Sequence, residues 1–90
     1  MSIARQIRVA GKVQGVFFRA STKNKADELN IKGFVRNEPD GSVYIEAEGT
    51  EENINQFLAW CKQGPRMASV ARCDIAEGGV KGFKDFIISR

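Results

Sequence analysis

A chain of 90 residues, 42% hydrophobic and 28% charged, is sized for one domain, residues 1–90, with a single modest core. Its net charge of +3 suits a small anionic ligand and is too low to imply nucleic acid without a clustered patch. It contains no histidine, which excludes a Ser-His-Asp triad, histidine general-base catalysis and the usual zinc sites.

In chain order, Gln6 to Gly11 alternates, with Ile7 and Val9 on one face and Gln6 and Arg8 on the other, as a half-buried first strand does. Ser21 to Ile31 reads as a helix with Thr22, Ala26, Leu29 and Phe18 on its inner side. Lys23 and Lys25 then fall in its first turns, against the preference of the helix dipole. They are either solvated side chains or a source of positive potential beside the preceding loop. Gly33 is expected to end this helix, and Phe34 to Asn37 to form a short strand. Glu38-Pro39-Asp40-Gly41 signals a hairpin turn, and Ser42 to Glu48 the returning strand. There Val43, Ile45 and Ala47 face the core, while Tyr44, Glu46 and Glu48 face outward.

Thr50 is placed to cap a second helix, with Glu51 and Glu52 in its first turn and Ile54, Phe57, Leu58 and Cys61 as its buried stripe. Gly64-Pro65 stops it. Met67 to Ile75 alternates as a strand, but the phase slips, and a bulge near Ala71-Arg72 repairs it. A turn over 77–82 leads to a last strand over 83–89, with Phe86 and Ile88 inward. Strand, helix, strand, strand, helix, strand plus a short extra C-terminal strand is the order of an α+β, ferredoxin-like βαββαβ sandwich. Its two helices cover one face of a mostly antiparallel sheet. The first ten residues hold no long apolar run, so no secretory signal is expected. No stretch approaches the roughly 20 apolar residues of a membrane span. A cytoplasmic monomer with no membrane or nucleic-acid partner is the expectation, with Cys61 and Cys73 as reduced thiols.

The chemistry concentrates in Gly11-Lys12-Val13-Gln14-Gly15-Val16-Phe17-Phe18-Arg19, between the first strand and the first helix. Two glycines permit turns that other residues resist. No acidic residue repels an anion, backbone N–H groups can converge at the helix start, and Arg19 offers a planar fork matched to phosphate oxygens. The spacing is not that of a Walker A loop. These residues alone leave two readings open: an anion cradle, or a glycine-bent connection carrying a surface arginine. Asn37 ends the second strand, where it either orients a water by hydrogen bonding or simply begins the turn.

Val9-Ala10-Gly11-Lys12-Val13-Gln14-Gly15-Val16-Phe17-Phe18-Arg19 resembles the acylphosphatase signature V-x-G-x-V-Q-G-V-x-F-R. Gly33 to Asn37 followed by Asp40-Gly41-Ser42-Val43 resembles the second signature, G-x-V-x-N and D-G-x-V. Trp60 to Pro65 with Ala68 and Val70, and the closing Phe86 to Arg90, are similar to further family stretches. The resemblance covers almost the whole chain. It implies a phosphohydrolase that splits small acyl phosphates into a carboxylate and inorganic phosphate, with no metal and no cofactor. By motif position Arg19 grips the phosphoryl oxygens and Asn37 places the attacking water. Backbone N–H groups of Gln14, Gly15, Val16, Phe17, Phe18 and Arg19 complete the cradle, with Gly11 and Thr22 in support. Acetyl, carbamoyl and glyceroyl phosphates are candidate substrates. Glu38, bulkier than is typical after the asparagine, is a candidate for tuning the water or the local charge.

Two rivals accompany this reading. One is a non-catalytic or carbamoyl-phosphate-handling module such as begins a hydrogenase-maturation carbamoyltransferase; the absence of a following linker or zinc-finger cysteines argues for a stand-alone enzyme. The other is an RNA-binding domain of the same architecture. Against it, Arg36 stands where a stacking aromatic belongs, and Tyr44 is expected to be the only clear aromatic on the open sheet face.

Overall fold

The computed structural model describes residues 1–89; Arg90, part of the closing family-like stretch, lies outside the described residues. The elements are β1 (Ile3–Lys12), α1 (Phe18–Glu28), β2 (Lys32–Asn37), β3 (Val43–Gly49), α2 (Glu51–Gln63), β4 (Ser69–Gly78) and β5 (Phe86–Ile88). The five strands form one sheet in the order β4-β1-β3-β2-β5. Every neighbouring pair is antiparallel except β2 and β5, which run parallel. Ile7, Val9, Val35, Val43, Ile45 and Ala47 form one core cluster with Phe18 and Ala26 of α1 and Ile54, Phe57 and Cys61 of α2. The two-residue alternation of the strands and the helical stripe thus meet in one layer, and the ferredoxin-like sandwich is the observed fold. No helix is long and apolar enough to cross a membrane.

The second helix and the bulge follow the expected pattern, while β4 runs over Ser69–Gly78 and not from Met67 to Ile75, because its pairing with β1 carries on through Gly78. Thr50 Oγ1 accepts the Asn53 N–H at 3.2 Å and starts α2; its buried residues are Ile54, Phe57 and Cys61. The register between β1 and β4 shifts so that Ala10 faces Arg72 and Gly11 faces Val70, leaving Ala71 as the extra residue of the bulge. Gly11 is needed there. It has φ 128°, and a Cβ would lie 2.3 Å from the Ser69 carbonyl oxygen and 2.7 Å from Ala71 N. The β2–β3 turn is closed by Asp40, whose carboxylate accepts from Ser42 N–H and Oγ at 2.9 and 2.6 Å. Those bonds hold the Asp40 carboxyl below its ordinary value.

Around α1 the expectations change. The first helix begins at Phe18, not Ser21, because it opens without a side-chain cap and so without the polar signal that marks most helix starts. Lys25 therefore lies in the last turn, where the dipole favours it, and pairs with Glu28. Lys23 bonds Asp27 and the Phe86 carbonyl, so it is engaged away from the loop. Gly33 does not end α1. The chain turns at Leu29 and Asn30, the latter at φ 55°, and Gly33 lies inside β2. Its role is close approach, since a Cβ there would fall 1.8 Å from the Glu46 carbonyl oxygen.

The last strand is shorter than 83–89, and the segment before it crosses the open sheet face. Glu48, expected on the wet face, is only 5% exposed because that segment covers it: its carboxylate accepts backbone N–H groups of Lys81, Gly82 and Phe83. Ile88 shares the face of its register partner Val35, yet remains 42% exposed at the end of the sheet.

Candidate active site

The pocket at the N-terminal end of α1 is a cleft of 560 Å³ lined by Val13, Gly15, Phe17, Phe18, Arg19, Ala20, Asn37 and Ile88. Three segments distant in sequence build it. The loop between β1 and α1 turns through two left-handed residues, Gly15 at φ 73° and Phe17 at φ 61°. The second is unusual, for that conformation costs a side chain with a Cβ about 1–2 kcal/mol. Phe17 is also 75% exposed, so no burial compensates the strain.

From Phe17 the chain enters α1 with no side chain over its first turn, and the first bond of the helix is from Ser21 N–H to the Phe17 carbonyl at 3.0 Å. The N–H groups of Phe18, Arg19 and Ala20 thus lack intrahelical acceptors, at the end of the helix where the dipole favours an anion. Phe18 anchors this turn. It is buried, and its ring lies 5.6 Å from that of Trp60 on α2. Thr22 lies one turn further, buried, its hydroxyl donating to the Phe18 carbonyl at 2.7 Å.

Asn37 enters from β2. Strand alternation sets it on the face of Val35, the helix side, but at the strand end, where it lines the pocket beside Arg19. Its Oδ1 is a buried side-chain oxygen with no hydrogen-bond partner. An unpaired buried acceptor costs about 1–3 kcal/mol, which sets Asn37 apart from the other polar side chains of the fold.

The other sequence-nominated residues divide by location. Gly15, Phe17, Phe18 and Arg19 line the cleft; Gln14, Val16, Gly11 and Thr22 do not. Val16 is buried, and Gly11 serves the bulge. The Gln14 side chain points at the β2–β3 turn, donating to the carbonyls of Glu38 and Ser42 at 2.8 and 2.9 Å. The Glu38 carboxylate is bound by Arg8 Nη1 at 3.3 Å and Arg36 Nε at 3.1 Å. Ile88 completes the pocket wall, and the sequence reading missed that. Its inward phase was visible, but not that parallel pairing with β2 brings it to the cleft. Among the described residues no three His, Cys, Asp or Glu side chains are grouped to hold a metal ion. Cys61 and Cys73 are free, and burial pushes both thiols above their ordinary range.

This arrangement joins a helix N-terminus, a guanidinium and an unpartnered amide oxygen in one cleft. The sequence model named Acylphosphatase matches residues 5–88, which is nearly all of the chain. The chain belongs to the acylphosphatase family. An acylphosphatase of Methylococcus capsulatus is 48% identical over 85 residues, 93% of this chain and 92% of that one. The crystal structure of acylphosphatase from Bacillus subtilis superposes with a TM-score of 0.95 at 34% identity, over 98% of this chain and 99% of that one. Full-length HypF in its phosphate- and nucleotide-bound form matches with a TM-score of 0.90 at 36% identity. That match takes in 100% of this chain but 12% of the HypF chain.

Proposed function

We propose that this acylphosphatase-family chain hydrolyses small acyl phosphates through its own side chains and backbone, without a metal or cofactor. The observation that carries the reading is the unpartnered Asn37 Oδ1 in the cleft that also holds Arg19 and the open end of α1. The phosphoryl oxygens lie against the Arg19 guanidinium and those N–H groups of the Gln14–Arg19 loop that open on the cleft. These donors meet the charge that spreads over the equatorial oxygens in the transition state. Asn37 Oδ1 accepts from the attacking water and aims its oxygen at phosphorus.

The new P–O bond forms as the bond from phosphorus to the acyl oxygen breaks. The electron pair leaves with the carboxylate, and the water's proton passes to a phosphoryl oxygen. Carboxylic acids have pKa values of roughly 4, so this leaving group needs no general acid, and a site without histidine suffices. Glu38 acts indirectly, as a charge balanced by Arg8 and Arg36 on the other face of the sheet. The protein works as a monomer in the cytoplasm and takes neither RNA nor membrane as partner. The open sheet face holds Phe34 and Phe83 besides Tyr44, more aromatic surface than the sequence suggested. However, Arg8 and Arg36 lie 4.9–5.5 Å over the Tyr44 and Phe34 rings and occupy the faces on which bases would stack.

The test is hydrolysis of acetyl phosphate beside a phosphate monoester, with and without chelator. Acetyl phosphate should be consumed equally in both conditions and the monoester left nearly intact. Turnover lost to chelator and restored by magnesium would sink the mechanism. The alternative, a non-catalytic or carbamoyl-phosphate-handling module, is supported by the recurrence of this fold within the longer HypF chain. It would be favoured if the protein bound phosphate yet hydrolysed neither acetyl nor carbamoyl phosphate.

A further inference from the structure

The cleft is larger than a phosphoryl group and its water require, and much of its lining is apolar. Val13, Phe17, Phe18, Ala20 and Ile88 share it with Arg19, the only charged side chain among the described residues of the wall. Val13 and Phe18 are buried core residues. Phe17 and Ile88 are not. They are large apolar side chains exposed at 75% and 42%, and both stand at the phosphate cleft. Phe17 holds its place in a strained left-handed conformation. Ile88 reaches the cleft because β5 runs beside β2, the strand that carries Asn37.

We infer that Phe17 and Ile88 form a subsite for the acyl chain, and that the enzyme favours acyl phosphates with an apolar chain over those with a short or charged one. The inference rests on the proposed hydrolysis and adds the substrate class. With the phosphoryl group against Arg19, the carbonyl carbon and its substituent leave the polar end of the cleft. The surface they meet is that of Phe17 and Ile88. An alkyl chain laid there removes apolar area of both partners from water.

The probe is a series with the same reacting group and increasing chain length: acetyl, butanoyl and hexanoyl phosphate. In the parent protein kcat/KM should rise by about fourfold for each methylene buried. Ile88→Thr keeps the β-branched shape on an exposed edge strand, and Phe17→Asn places a residue that tolerates the left-handed conformation. Each should remove most of the rise with chain length, whatever it does to the rate on acetyl phosphate. Ile87→Thr, at a residue 55% exposed and outside this cleft, should leave the rise as it is. Melting curves confirm that each variant is folded. A parent that hydrolyses all three acyl phosphates at one kcat/KM, or an unchanged rise in both Ile88→Thr and Phe17→Asn, overturns the subsite alone. A parent that hydrolyses none of them overturns the hydrolysis reading and the subsite with it.

Discussion

The side-chain amide of Gln14 donates to the backbone carbonyl of Glu38 at 2.8 Å, tying the loop before Arg19 to the residue next to Asn37. A second bond from the same nitrogen reaches the Ser42 carbonyl across the hairpin. One side chain therefore sets the distance between the two segments from which the proposed phosphate and water sites are built. Gln14→Ala should cost about 1–2 kcal/mol of stability, the scale of two lost hydrogen bonds. It should also lower kcat more than it weakens phosphate inhibition. Gln14→Glu, which cannot donate and sets a carboxylate against two carbonyls, should be worse on both counts. Urea unfolding and steady-state kinetics check this; parent-like kcat in both variants would mean the hairpin is held by other contacts.

Arg19 and Asn37 should fail in different ways. Arg19→Lys keeps the charge but loses the fork that meets two oxygens at once, so binding and turnover should fall together. Asn37→Ala should lower kcat by roughly 10²-fold, the scale for losing one preorganised polar group, and leave phosphate inhibition nearly unchanged. It should also raise the melting temperature slightly, because it removes a buried acceptor that has no partner. If Asn37→Ala turned over substrate at the parent rate, the residue would be a turn former and nothing more.

What the sequence showed and what it hid differ by range. Thr50, the α2 stripe, the Asp40-Gly41 turn and the bulge at Ala71 are local patterns of two to four residues, and each reads directly from the chain. Arg19 and Asn37 were nominated by motif, and their shared cleft then depended on β2 lying in the sheet near β1. The start of α1 was hidden because its opening turn lacks the polar residue that announces a helix. Gly33 was misassigned because the contact that requires it, the Glu46 carbonyl, lies on another strand. The burial of Glu48 and the place of Ile88 follow from a segment that returns across the sheet, and no local periodicity encodes such a path.

Tyr44 offers a test in alkali. Burial, and then its hydrogen bond to Glu46, push the phenol up to about 12 from an ordinary value of 10.0. The folded state therefore holds the phenolic proton more tightly than the unfolded state does. The stability this provides is complete below pH 10 and is lost as pH rises towards about 12. Tyr44 is the one tyrosine of the chain, so phenolate absorbance reports it without overlap. A midpoint near pH 10 in folded protein would contradict the packing described, and Tyr44→Phe should flatten that part of the alkaline stability profile.

Glu48 fastens the segment that crosses to β5. Three backbone N–H groups converge on its carboxylate at a residue 5% exposed. Glu48→Ala leaves those donors unpaired and should cost about 2–4 kcal/mol. Limited proteolysis should then cut between Val80 and Lys84 ahead of any other site, and hydrogen exchange of the β5 amides should quicken. Equal protease resistance in variant and parent would assign the anchoring to the Phe34–Phe83 contact instead.

The clamp at Gly11 also orders events in time. The cradle occupies the first fifth of the chain, but the strand against which Gly11 is pressed, through Ser69 and Ala71, is β4, near its end. Pairing β1 with β4 closes a loop of well over half the domain, the kind of contact that slows folding. A chain emerging from the ribosome therefore displays every proposed phosphate-binding residue long before it can hold them in place. A fragment stopped after α2 would carry Arg19, Asn37 and the whole loop, yet have no site.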